Sequence, residues 1–165
     1  MSTRIETLDL KAEASAAGDS RRFVRQVCSS WALAADRIDT AALLVSELVT
    51  NAVEAPVVPV CADLQVIGVR LVERRDSVVI EVWDTSPQPP RLIEPSEDSV
   101  DGRGLLLVNA LSIQWGYCDL GTGGKVVWCE LSRAVAPDTN PHDEPASDEQ
   151  QITDVLERHF WSEQV

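Results

Sequence analysis

Apolar and polar positions along the chain change period repeatedly, and each change marks an element. Residues 5–11 (IETLDLK) alternate with period two, which predicts a short strand. From Asp19 onward Phe23, Val24, Val27, Trp31 and Ala34 recur at three- and four-residue steps, a helical stripe with Asp19 or Ser20 available as N-cap. A second helix follows, capped by Asp36 or Asp39. Its apolar face is Ala41, Leu44, Val45, Leu48, Val49 and Ala52, and Pro56 and Pro59 stop it. The runs 64–74 (LQVIGVRLVER) and 77–84 (SVVIEVWD), split by Arg75-Asp76, suit an antiparallel hairpin. Residues 85–103 carry four prolines and no period, which predicts a long loop. Gly104–Leu111 is helical again, and 113–132 reads as two strands around a Gly-rich turn. Helices early and strands late do not fit a doubly wound sheet, which needs strand–helix alternation; the pattern predicts an α+β sandwich.

Composition narrows the function classes. The chain has 165 residues, 27 acidic and 14 basic, for a net charge of −13. That length suits one domain plus an extension, and that charge repels a phosphate backbone, so no direct nucleic-acid binding is expected. Eight acids and one base, Arg158, fall in residues 134–165, leaving −7 there and −6 on residues 1–133. The division predicts a folded domain over 1–133 and an acidic, Pro-containing tail over 134–165, with a short amphipathic helix at 152–161 through Ile152, Val155, Leu156, Phe160 and Trp161. Cys28, Cys61, Cys118 and Cys129 lie far apart with no C-x-x-C pair, the pattern of reduced thiols. With no signal-like N-terminus and no run of about 20 apolar residues, the expectation is a cytoplasmic protein without membrane attachment.

Four features could carry chemistry. Glu47 and Asn51 stand four residues apart on one helical face; Asn is a poor helix former, so its position inside a strongly patterned helix calls for a reason. An amide oxygen suits Mg²⁺ and a carboxylate can take a proton, while the pair alone also reads as a solvated polar face. Asp84 ends a strand before Thr85-Ser86-Pro87: it can accept a hydrogen bond from an exocyclic amine of adenine, or simply start an Asx turn. Gly102-Arg103-Gly104 precedes a helix whose N-terminus could meet phosphate, or is an ordinary loop–helix junction. Gly121-Thr122-Gly123-Gly124-Lys125 lacks the spacing of a Walker loop and reads as a glycine-rich hairpin.

Taken in order, E-L-V-T-N-A in a helix, V-W-D-T-S-P ending a strand, a long loop, G-R-G-L-L-L-V opening a helix and G-G-K-V-V-W-C-E-L in a late strand pair resemble the GHKL (Bergerat-fold) histidine-kinase-like ATPases. The likeness is strongest to bacterial anti-sigma-factor serine/threonine kinases and covers about residues 5–133. It implies a two-layer α/β sandwich with helices on one face of a mixed, mainly antiparallel sheet. It also implies ATP and Mg²⁺ as cofactors, with Glu47 as general base and Asn51 as the metal ligand. Asp84 would meet adenine, and Gly102, Arg103, Gly104, Leu105 and Lys125 would bind the nucleotide, with residues 85–101 as a lid. The sequence departs from the family pattern at Ala55, where a His or similar residue is usual. Thr85-Ser86-Pro87-Gln88 replaces the glycines after Asp84, and Val126 stands where many relatives have Thr.

The resemblance therefore implies an ATP/Mg-dependent protein serine/threonine kinase that binds a sigma factor or similar regulator and phosphorylates an antagonist protein, with a homodimer usual for such kinases. The alternative is a non-catalytic or degenerate nucleotide-binding interaction module. The catalytic half of a two-component histidine kinase is disfavoured, since the only histidines, His142 and His159, lie in the tail.

Overall fold

A computed structural model describes residues 3–56, 65–90, 104–121 and 123–134. Within them the chain forms β1 (Ile5–Lys11), α1 (Ala16–Ser30), α2 (Ala35–Glu54), β2 (Val66–Glu73), β3 (Ser77–Asp84), α3 (Gly104–Leu111), β4 (Gln114–Asp119) and β5 (Lys125–Ser132). The expected tail helix at 152–161, residues 91–101 of the expected lid, Gly102, Arg103 and Cys61 lie outside the described residues.

The five strands form one sheet in the order β1-β2-β3-β5-β4. All four ladders are antiparallel, so among the described residues the sheet has no parallel pair to make it mixed. Its core side follows from alternation along the central strands. Val78, Ile80 and Val82 of β3 pair with Leu131, Cys129 and Val127 of β5, and all six belong to the buried core. Leu44, Val45, Leu48 and Val49 of α2 and Val24, Val27 and Cys28 of α1 complete that core, each at most 7% exposed. Burying one such Leu or Val contributes about 1.5–3 kcal/mol, so these positions fix which face of each helix meets the sheet. The result is the α+β two-layer arrangement expected from the sequence.

The helix starts differ from expectation. α1 begins at Ala16, before Asp19, and α2 at Ala35, with Ser15 and Ala34 in the cap positions and no side-chain cap bond at either. Asp19 and Asp36 instead lie inside the first turns, where a carboxylate favours the positive end of the helix dipole without capping it. α2 ends at Glu54 because Pro56 pushes Ala55 into an extended conformation (φ −65°, ψ 138°).

An ionic cluster joins the ends of the sheet to α1. Glu73 of β2 accepts from both Arg4 and Arg133, and Arg133 Nη2 also donates to the Trp31 carbonyl at 2.6 Å. The hydrogen bond from Arg4, reinforced by Arg133, holds the Glu73 carboxyl well down, to about 2. A depressed carboxylate stabilises the fold above its ordinary pKa and loses that contribution as pH falls toward the folded value. Denaturant unfolding between pH 6 and pH 2 should therefore show the wild type more stable than Glu73→Gln near neutrality, with the gap closing below about pH 4.5; a constant gap contradicts the ionic origin.

Candidate functional site

Strand register brings the first two site residues together. Asp84 closes β3 directly opposite Lys125, which opens β5. Both continue the alternation that sends Val82 and Val127 into the core, so both side chains lie on the helix side of the sheet. Lys125 Nζ donates to Asp84 Oδ1 at 2.9 Å, with the two side chains only 3% and 5% exposed. The Ser86 N–H donates to the same oxygen at 2.8 Å, which is the Asx turn the Asp-Thr-Ser-Pro sequence predicts. Asp84 Oδ2 is buried and has no hydrogen-bond partner among the described residues. Burial pushes the Asp84 carboxyl above its ordinary value, while Lys125 and the Ser86 N–H pull it back. Lys125 thus answers the charge of Asp84. The resemblance implies that Lys125 binds the nucleotide; in the structure its ammonium is paired with the Asp84 carboxylate.

Gly124 makes this pairing sterically feasible. Its φ of +126° is one that side chains rarely adopt, and a Cβ there would lie 2.7 Å from the Asp84 carbonyl oxygen. The expected glycine-rich hairpin is present, with Gly121 and Gly123 also at positive φ and the Leu120 N–H donating to the Gly124 carbonyl at 3.1 Å.

A second cluster forms where α2 meets α3. Glu47 and Asn51 lie one helical turn apart on α2, both half-buried. A Cβ added to Gly104, the first residue of α3, would lie 2.5 Å from Glu47 Oε2. The glycine therefore lets the carboxylate reach the start of the helix. Leu105, expected at the nucleotide, is 3% exposed and packs in the core, so only its backbone is left for a ligand. Among the described residues no group of three or more His, Cys, Asp or Glu could hold a metal ion. A cation held by Asn51 would need oxygens from a bound ligand, the usual arrangement for Mg²⁺ on phosphates.

A shallow, open cleft lies beside Asp84, lined by Ala12, Ala52, Ala55, Gln65, Val66, Ile67, Thr85 and Ser86. Its alanines, Val66 and Ile67 offer an apolar surface to a flat aromatic ring, and the buried Asp84 Oδ2 offers an acceptor for an exocyclic amine, so the residues present fit the adenine of a nucleotide. Sequence reasoning missed Ser86 and Gly124 as site-builders. The Ser-Pro turn and the Gly-Gly pair were visible, but only the register of β3 on β5 connects them to Asp84.

The model for the histidine kinase-like ATPase domain matches residues 10–130, and the chain belongs to that family. In fold it is similar to a solved structure of the RsbU and RsbW domains of Rv1364c from Mycobacterium tuberculosis, with a TM-score of 0.56 and 20% identity over 78% of this chain. The chain spans 32% of that structure's length. No curated protein matches it. No helix among the described residues is long and apolar enough to cross a membrane.

Proposed function

We propose that the chain binds Mg-ATP and acts as a protein serine/threonine kinase and anti-sigma-type regulator, holding a sigma factor or similar regulator and phosphorylating an antagonist protein. Residues 1–133 would be the ATP-binding domain and 134–165 an acidic tail, in the cytoplasm. The observation that carries this reading is the buried Oδ2 of Asp84, without a partner among the described residues, facing a cleft lined in part by alanines, Val66 and Ile67, on a domain of the histidine kinase-like ATPase family.

In this reading Asp84 Oδ2 accepts the exocyclic amine of adenine. The amide oxygen of Asn51 would hold Mg²⁺, which would supply positive charge to offset that of the phosphates. Backbone N–H groups at the start of α3 would meet the phosphates, and the resemblance adds Gly102 and Arg103 as nucleotide-binding residues. Glu47 takes the proton of the substrate hydroxyl as its oxygen bonds to the γ-phosphorus and the bond to the leaving ADP breaks. Phosphoryl transfer needs positioning and charge stabilisation more than covalent help from the protein, so a site without a nucleophilic triad is sufficient.

The alternative, a non-catalytic nucleotide-binding interaction module, draws support from Ala55, which puts a methyl group on the cleft wall where a polar side chain is usual in the family. Transfer of labelled γ-phosphate to a co-purified antagonist separates the two. The kinase reading expects transfer by the wild type and a loss of at least about 10²-fold in Glu47→Ala, the low end for removing a general base. Nucleotide binding without transfer selects the alternative, and transfer that survives Glu47→Ala removes Glu47 as the base.

A further inference from the structure

The nucleotide reading leaves one feature unexplained: a lysine buried against the very carboxylate assigned to the base. Each carboxylate oxygen carries two lone-pair sites. On Asp84 Oδ1 both are taken, by Lys125 Nζ at 2.9 Å and the Ser86 N–H at 2.8 Å, while Oδ2 is buried with none. The arrangement is built into the fold, since Asp84 and Lys125 are register partners at the end of the central ladder and Gly124 admits the close approach.

The consequence is chemical. A carboxylate with two open oxygens pairs side by side with two adjacent donors, such as the N1–H and N2–H of guanine. With Oδ1 saturated that side-by-side pairing is lost: Oδ2 can meet one donor in line, such as the N6 amine of adenine, while the second guanine donor, directed at Oδ1, finds its acceptor sites already taken. Leaving a buried donor unpaired is the strongest basis for rejecting a ligand.

Resting on the proposed nucleotide site, we propose that Lys125 is a positioning residue that sets purine specificity, occupying Asp84 Oδ1 so that the site takes adenine and rejects guanine nucleotides. Lys125 acts through Asp84 and need not touch the base. Its charge also favours the ionised, acceptor form of Asp84, partly opposing the upward push of burial.

The test is the ratio of affinities for Mg-ATP and Mg-GTP, measured by titration calorimetry on the full chain. The wild type should favour ATP by at least roughly tenfold, the value of one hydrogen bond to a charged group. Lys125→Met should narrow that ratio several-fold, chiefly through tighter GTP binding relative to ATP, and Lys125→Arg, which restores a donor to Oδ1, should widen it again. A purely structural lysine would lower both affinities in proportion. Because a ratio is insensitive to a fraction of unfolded protein, partial destabilisation of Lys125→Met does not blur the outcome. If that variant does not fold, Lys125→Gln, whose amide can donate to Oδ1, should keep the wild-type preference. An unchanged ratio in Lys125→Met, or a wild type that binds both nucleotides equally, overturns the role of Lys125 and leaves the nucleotide site standing. A wild type that binds neither overturns both.

Discussion

Asp84→Ala is expected to destabilise the domain by about 3–5 kcal/mol, the cost of stranding one partner of a buried ion pair. The lysine that would be stranded is Lys125, whose side chain is 3% exposed and donates to Asp84 Oδ1. Denaturant unfolding measures the effect directly. The double variant Asp84→Ala/Lys125→Met should regain most of the loss, because two apolar groups replace two charges in a buried position. A loss in Asp84→Ala of about 1 kcal/mol or less, the range of an exposed pair, would mean that Lys125 reaches water and that the pair is not the anchor of this end of the sheet.

Gly104→Ala should do the opposite, leaving stability nearly intact while removing activity. Alanine is the better helix former, and the atom its Cβ would meet, Glu47 Oε2 at 2.5 Å, is the end of a flexible side chain that can swing away. Swinging away is the expected damage. A catalytic group displaced by about 1 Å can cost on the order of 10²-fold in rate, so phosphate transfer should fall by roughly that factor with little change in the unfolding midpoint. Since both substitutions would act on one carboxylate, Glu47→Ala/Gly104→Ala should be little worse than Glu47→Ala alone. A fully active Gly104→Ala would show that chemistry does not need Glu47 at the start of α3.

Where the sequence was legible, packing alone decided the outcome. The α2 face of Ala41, Leu44, Val45, Leu48, Val49 and Ala52 is buried as its period predicts, and β1, β3 and α3 have the expected limits. Helix starts were harder, because Asp19, Asp36 and Asp39 satisfy a cap pattern as readily as a first-turn charge, and only the backbone path distinguishes them. At the site, Asp84, Glu47 and Gly104 could be marked from motif order, and the contact of Gly104 with Glu47 brings two of them together. The partner of Asp84 could not be read in the same way. Lys125 lies 41 positions away and meets it through a ladder whose register no local pattern specifies.

The proposed function depends above all on the cleft beside Asp84 taking the base of a nucleotide. Calorimetric titration of Mg-ATP into the wild type and into Asp84→Asn tests it most directly. Asparagine keeps an oxygen for Lys125 and the Ser86 N–H, and turns an NH₂ donor toward the position of Oδ2, where the base presents its own donor. The account predicts saturable binding by the wild type and a loss of at least roughly tenfold in Asp84→Asn. Equal binding by the two proteins, or none by the wild type, would contradict it.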